Sequence, residues 1–301
     1  MKRRVYMNGV IVPEEEARLS TFDRGFLLGD GLFETIMVRE GVPLFLQAHL
    51  TRLRCGLNAL GFEAAPLEGL FKDIAGDVIS RLIEKNEVAT KDARVRITIS
   101  RGSAGSGLAP LPDSLPTVII SAAPVDTELI AGKVSLGISA ITLRGIRPAM
   151  PMVKTINFRP NIIGAGMAKR AGTGEGFFLA EDNKTILEGT SSNIFIVRDG
   201  GLLTTPVAKE LCGRGVLPGV VRQIILEIAG ELMMRAEESW FTREELLTSE
   251  ELFITNSISG VVPVIKVDSK PIGSGTAGDI TRRMQEGYKD KTSHFLLEKR
   301  K

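Results

Sequence analysis

The sequence is poor in the residues that cross-link or metallate a fold. Its 301 residues include two cysteines, two histidines, two tyrosines and one tryptophan. Cys55 and Cys212 lie far apart and in no metal-ligand spacing, which excludes a disulfide framework and suits a reducing, cytoplasmic setting. A His-based zinc site or a Ser-His-Asp triad would have to use His49 or His294, and neither lies near a nucleophile motif, so no metal is expected. Charge of one sign is lacking too: 38 Lys and Arg against 36 Asp and Glu leave a formal net charge of +2. Nucleic acid or an anionic membrane would normally call for a basic surplus, so neither is an expected partner. The basic clusters Lys2-Arg3-Arg4 and Lys299-Arg300-Lys301 read as solvated ends. No apolar run reaches the ~18 residues of a transmembrane helix. The opening MKRRVYMNGVIVPEEE has positive charge with no apolar core behind it, unlike a signal peptide.

What is present is a 43% hydrophobic chain with 32 Gly and 14 Pro, long enough for two domains at roughly 100–200 residues each. Asn8-Gly9 predicts a hairpin between Val5 and Val12. Leu32 to Val38, after Gly29-Asp30-Gly31, predicts a buried strand. Leu50, Leu53, Leu57 and Leu60 predict an amphipathic helix ending at Gly61, and a second helix is expected over about 67–85. Val95, Ile97 and Ile99 alternate with polar residues as in a half-buried strand. A Gly/Pro/Ser loop over 101–116 and a strand over 117–122 follow. The short polar stretch 124–132 reads as a linker between an N-terminal α/β domain, 1–123, and a C-terminal α/β domain, 133–301. The second domain is expected to hold a strand at 134–138, a helix at about 160–170, and hairpins over 177–188 and 193–204. A helix should begin with Pro218 and Gly219 in its first turn, followed by strands at 252–255 and 261–267 and a last helix over about 277–288.

Four features can carry chemistry, and each has a plainer reading. Lys154, in MVKTINF, is a single lysine in an apolar setting; desolvation would make it nucleophilic, or it snorkels to solvent. Glu188, in LEGTSSNIFIV, ends a strand before a turn of small residues, as catalytic and ordinary surface carboxylates both do. GVLPGVVR runs into a helix whose first N–H groups could hold an anion, like many loop–helix junctions. TNSISG supplies hydroxyls and backbone N–H groups suited to a phosphate, or is a simple polar turn.

Taken in order, FDRGFLLGDGLFET, HLTRL, RGSAGSG, KTIN, EGTSSNIF, GVLPGVVR and TNSISGVVPV span nearly the whole chain and resemble the class IV aminotransferases, the fold-type-IV pyridoxal phosphate enzymes. The resemblance implies a two-domain α/β (α+β) fold of the D-amino acid aminotransferase type, with pyridoxal 5'-phosphate bound between the domains and a homodimer acting on a small amino substrate. It assigns Lys154, in the C-terminal domain, as the lysine that carries the cofactor and moves protons. It assigns Glu188 to the pyridine nitrogen and Arg52 to the phosphate. Val220 and Val221 would hold the phosphate through backbone N–H groups, and Ser257 would close the phosphate cup.

Within that family the motifs divide. D-amino acid transaminases carry an Arg-x-His pair where this chain has Ser106-Gly107-Leu108. Branched-chain transaminases usually place a Tyr where Phe158 stands and favour a Gly-Thr-Ala turn where Asn256-Ser257-Ile258 lies. 4-Amino-4-deoxychorismate lyases tend to show the GDGLFET, RGSxGxG and Asn-Ser features present here, although Phe26 occupies a position where some of them have Thr. The favoured expectation is therefore the lyase, which releases pyruvate and p-aminobenzoate in folate synthesis. The alternative is a branched-chain or other amino acid transaminase using 2-oxoglutarate.

Overall fold

A computed structural model of the chain describes residues 3–63, 65–103, 107–111 and 114–299. Lys2, Ser106, Arg300 and Lys301, singled out above, lie outside the described residues. The chain divides into two units, the first formed by residues up to 125 together with Val153–Asn157, the second by 126–152 and 158–298.

The first unit is built on a six-stranded antiparallel sheet. Asn8 and Gly9 both adopt positive φ, 47° and 103°, the turn geometry that matches the twist of a hairpin. β1 (Arg4–Met7) accordingly pairs with β2 (Val10–Pro13). With β3 (Gly31–Arg39), β4 (Val42–Pro43), β5 (Ala93–Ser100) and β6 (Thr117–Pro124) the order is β2-β1-β6-β5-β3-β4. The helices are α1 (Arg24–Leu28), α2 (Leu46–Ala59), α3 (Ala65–Asp73) and α4 (Ile79–Lys85). A π-helical turn at Ile74–Val78 separates α3 from α4 within the helix expected over 67–85. α2 buries Leu50, Leu53 and Leu57, and the sheet buries Ile36, Val95, Ile97 and Ile99, each such side chain contributing about 1.5–3 kcal/mol. Val153–Asn157 joins this unit, although sequence order placed Lys154 in the second domain. Phe33 N–H donates to the Lys154 carbonyl at 2.9 Å and Ile156 N–H to that of Gly31 at 3.0 Å.

The second unit opens with a helix, α5 (Thr127–Leu136), where a linker over 124–132 and a strand over 134–138 were expected. The run LIAGKVSL suits either helix or strand by composition. Asp126 decides it, because its side chain accepts the Leu129 N–H at 2.9 Å as an N-cap. The unit's sheet contains β7 (Ile138–Leu143), β8 (Glu175–Leu179), β9 (Ile186–Gly189), β10 (Asn193–Arg198), β11 (Gly201–Thr204), β12 (Ala236–Glu238), β13 (Glu251–Asn256), β14 (Gly260–Val267) and β15 (Lys270–Pro271). Their order is β12-β11-β10-β13-β14-β7-β8-β9, with β15 on β14. The sheet is mixed: β11–β12, β14–β7 and β7–β8 are parallel. One core cluster joins Phe177, Ile194, Ile196, Leu252, Ile254 and Val262.

The remaining helices are α6 (Arg159–Arg170), α7 (Val220–Glu231), α8 (Arg243–Leu247) and α9 (Asp279–Lys299). α7 follows Leu217-Pro218-Gly219 as expected, with Gly219 as its extended N-cap, φ −67° and ψ 134°, so Pro218 and Gly219 lead into the first turn rather than forming part of it. α9 runs eleven residues past the expected end at 288. Its buried positions Thr281, Met284, Tyr288, Thr292 and Leu296 keep the helical spacing, but threonines interrupt the apolar stripe that sequence reading follows. No helix among the described residues is long and apolar enough to cross a membrane.

Candidate active site

The expected site residues fall into two groups, one in each unit. Lys154 and Arg52 belong to the first, Glu188, Val220, Val221 and Ser257 to the second.

In the first group the organising residue is Glu34, in the middle of β3 and only 1% exposed. Arg52, on α2, donates Nε to Glu34 Oε1 and Nη2 to Oε2, both at 2.7 Å. His49 lies three residues earlier, on the same helix face, and donates Nδ1–H to Oε2 at 2.8 Å. Burial alone would raise the Glu34 pKa. The charge of Arg52 and the hydrogen bonds from His49 and Arg52 outweigh it and hold the value at about 2. Burial pulls the His49 pKa down, the bond to Glu34 opposes this, and the charges of Arg52 and Lys154 add to the lowering. His49 is therefore a neutral donor to a carboxylate that can only accept. The Nζ of Lys154 lies 4.5 Å from the centre of the Phe33 ring, a cation–π distance. Leu32 and Thr155 pair as a β-bridge, so β3 locates the backbone of Lys154 as well as Glu34.

The lowered Glu34 pKa has a testable consequence. A carboxyl titrating at about 2 in the fold against an ordinary 4.5 contributes stability that is complete above the ordinary value and disappears as the pH falls toward 2, about 3 kcal/mol in all. Urea unfolding between pH 6 and pH 2.5 is expected to show this loss in the native protein, and Glu34→Gln is expected to flatten that part of the profile. Equal slopes for both proteins would show that Glu34 does not titrate there.

At the entrance to β3, Asp30 Oδ2 accepts from Arg24 Nε and Arg101 Nε, each at 2.9 Å. Arg24 in turn donates to the carbonyls of Gly107 and Leu108 at 2.8 and 2.6 Å. The described middle part of the 101–116 loop is thereby tied to α1.

In the second group Glu188 sits on β9, 8% exposed, and its Oε2 accepts the Leu217 N–H at 3.0 Å. That bond anchors the segment leading into α7. Glu188 also borders a cavity of about 350 Å³ lined by Arg147, Pro148, Leu187, Cys212 and Arg214. Val220 and Val221 form the first turn of α7, whose first N–H groups have no acceptor within the helix. The Gly219 N-cap has no side chain to cap them. A Cβ there would fall 1.9 Å from Asn193 Oδ1, so any larger residue would have to displace the Asn193 side chain. Asn193 Nδ2 donates to the Leu217 carbonyl at 3.0 Å. Across the sheet Asn193 faces Thr255, whose hydroxyl is buried with no hydrogen-bond partner. Ser257 lies in the turn that leaves β13. There Asn256 Oδ1 accepts the N–H groups of Ile258 and Ser259 at 3.0 and 2.8 Å.

Sequence reading missed the residues that hold these groups in place. Glu34 was counted inside an apolar run. Glu175, opening β8, is 3% exposed and accepts from Thr190 N–H at 3.0 Å, Ser191 Oγ at 3.2 Å and Ser192 Oγ at 2.9 Å, and also from the Thr190 hydroxyl. The small-residue turn after Glu188 is thus organised around a second carboxylate. The available signal was an acidic residue opening the otherwise apolar strand EGFFL. Among the described residues no group of three or more His, Cys, Asp or Glu could hold a metal ion.

Residues 31–267 match the family model described as amino-transferase class IV. Over 291 residues the chain is 33% identical to a provisionally named branched-chain-amino-acid aminotransferase of Methanocaldococcus jannaschii, covering 95% of this chain and 96% of that protein. Over 300 residues it is 31% identical to the aminodeoxychorismate lyase of Bacillus subtilis, covering 98% and 97%. The solved structure of a branched-chain amino acid aminotransferase from T.th., complexed with N-(5'-phosphopyridoxyl)-L-glutamate, superposes with a TM-score of 0.81 at 26% identity, covering 98% of this chain and 95% of that one.

Proposed function

Because the chain belongs to the class IV aminotransferases, which are pyridoxal 5'-phosphate enzymes, we propose that it is a 4-amino-4-deoxychorismate lyase whose chemistry rests on Lys154 and Glu188. The residues present fit the cofactor. Glu188 offers a buried carboxylate for a protonated ring nitrogen. Within the second unit, the uncapped first turn of α7 at Val220 and Val221, the orphaned Thr255 hydroxyl and Ser257 suit a phosphate. Arg52, in the first unit, is the cation that the resemblance assigns to it. When bound, the cofactor supplies an electron sink for charge developing at the substrate's α-carbon. Lys154 would hold the cofactor through its Nζ, and the same amine, once released, would serve as the base for the α-proton. Glu188 keeps a proton on the ring nitrogen. In the lyase, pyruvate leaves and the ring aromatises to p-aminobenzoate. In a transaminase, Lys154 would instead act as the acid that returns the proton.

The observation that carries the lyase reading is the Asn256–Ser259 turn, where the Asn256 side chain takes two backbone N–H groups in place of the Gly-Thr-Ala pattern favoured by branched-chain enzymes. Phe158, at the N-cap of α6, supports it, since its ring has no donor where those enzymes usually carry Tyr. The identity to the M. jannaschii protein favours the second reading, a branched-chain or other transaminase. Incubation with aminodeoxychorismate alone, with no 2-oxo acid added as amino acceptor, is expected to release p-aminobenzoate and pyruvate in equal amounts. Glutamate formed from leucine and 2-oxoglutarate, with no p-aminobenzoate, would establish the transaminase instead.

The proposed setting is a cytoplasmic homodimer in folate synthesis. Phe22, Phe26, Leu27 and Leu28 are strongly exposed within one short stretch, an apolar patch suited to a second copy. Cys55 and Cys212 are both free thiols, as a reducing compartment would keep them.

A further inference from the structure

We infer that Glu34 is a positioning residue for phosphate recognition, acting through Arg52. This rests on the proposed reading of Arg52 as a phosphate-binding residue. A charged carboxylate at 1% exposure is tolerated only when paired and hydrogen-bonded, and such a pair is often no more stabilising than an apolar replacement. A role beyond stability therefore suits it. The pairing is two-point: Glu34 takes the Nε and Nη2 edge of the Arg52 guanidinium with two 2.7 Å bonds. That fork fixes the plane of the guanidinium, and with it the direction of every N–H on it, which a single contact would leave able to rotate. The Arg52 side chain keeps 12% exposure while Glu34 keeps 1%, so the cation is gripped from the protein interior and reachable from outside it. His49 holds Glu34 in turn, through its Nδ1–H at 2.8 Å. The peptide N–H of Phe33, immediately before Glu34, binds the Lys154 carbonyl at 2.9 Å. One strand thus sets both the arginine assigned to the phosphate and the lysine assigned to the cofactor carbon.

The test is the affinity of the apoenzyme for pyridoxal 5'-phosphate and for pyridoxal, which lacks the phosphate, measured by equilibrium dialysis in native protein, Glu34→Gln, Arg52→Ala and the double variant. Arg52→Ala is expected to weaken pyridoxal 5'-phosphate roughly tenfold to a hundredfold, and Glu34→Gln about tenfold, with pyridoxal affinity unchanged in both. In the Arg52→Ala background Glu34→Gln is expected to add no further loss, because the arginine it positions is gone. Equal losses for both ligands, or an undiminished loss in that background, would make Glu34 a merely structural residue and overturn the inference. If Arg52→Ala leaves pyridoxal 5'-phosphate affinity unchanged, the phosphate assignment of Arg52 fails and the inference with it. If Arg52→Ala weakens binding and Glu34→Gln does not, the inference alone fails. Should Glu34→Gln not fold, Glu34→Asp keeps the charge but is one methylene too short to make both contacts. It is expected to weaken pyridoxal 5'-phosphate several-fold relative to pyridoxal, and an unaltered ratio would refute the role.

Discussion

Lys154→Ala is expected to abolish turnover, by roughly 10⁴-fold or more, and to remove the visible absorbance of lysine-bound cofactor. If Lys154 acts as proposed, the size follows from two losses at once: the covalent tether, and a positioned acid–base group that alone typically contributes about 10²–10⁴-fold. The fold should survive. Lys154 is half-buried, and its place in the first unit is held by backbone bonds through its own carbonyl and the neighbouring Ile156 N–H, which alanine preserves. What the variant loses is the amine, 4.5 Å from the Phe33 ring centre, so far-ultraviolet circular dichroism and the unfolding midpoint should stay close to native. Borohydride reduction followed by peptide mass spectrometry checks the assignment directly. Native protein should carry the reduced cofactor on the peptide containing Lys154, and the variant on none. Cofactor trapped on a different lysine in the variant would move the catalytic amine elsewhere and undo the site.

How far such a site can be read from sequence depends on where each residue's partners lie. The candidates Lys154, Glu188 and the α7 start could be singled out because they lie in short motifs: an amine in an apolar run, a carboxylate before small residues, a Pro-Gly entry to a helix. Each motif has a plainer reading, however, and the roles proposed for them come from the resemblance of the whole ordered set. Most elements were legible for the same local reason, as with the Asn8-Gly9 hairpin and the leucine spacing of α2. Glu34 was not, because it lies within the buried run of β3 and its partners His49 and Arg52 stand 15 and 18 residues away, on α2. A buried carboxylate looks like an interruption of an apolar strand until the fold shows what surrounds it. Glu175 failed for the same reason, since its partners in the 190–192 turn are 15 to 17 residues downstream. α5 was lost to an ambiguity of composition that one capping aspartate, Asp126, resolves. The grouping of Val153–Asn157 with the first unit depends on hydrogen bonds to β3 across more than a hundred residues, which no local pattern encodes.

Glu188→Gln is expected to keep the cofactor bound and to slow the chemical step, by roughly 10²–10⁴-fold if the residue sets the ring nitrogen's protonation as proposed. A carboxylate beside that nitrogen favours its protonated form by direct charge, whereas a neutral amide of the same size offers no such stabilisation. The substitution is nearly isosteric, and the amide oxygen of Gln can still accept the Leu217 N–H that Glu188 takes at 3.0 Å. The segment before α7, and with it the turn at Val220 and Val221 proposed for the phosphate, should therefore stay in place. The loss should fall on kcat and on kcat/KM alike, as for an interaction that matters only once charge develops at the α-carbon. Lyase and transaminase share that step, so the outcome is independent of which activity the chain carries. Stopped-flow absorbance should show substrate adding to the bound cofactor at the native rate and the following proton transfer slowed. Measuring the same step with α-deuterated substrate tests the cause. The isotope effect should grow in Glu188→Gln, because proton removal by Lys154 becomes fully rate-limiting. Native rates of proton transfer in the variant would reduce Glu188 to a strand-end carboxylate that secures Leu217 and nothing more.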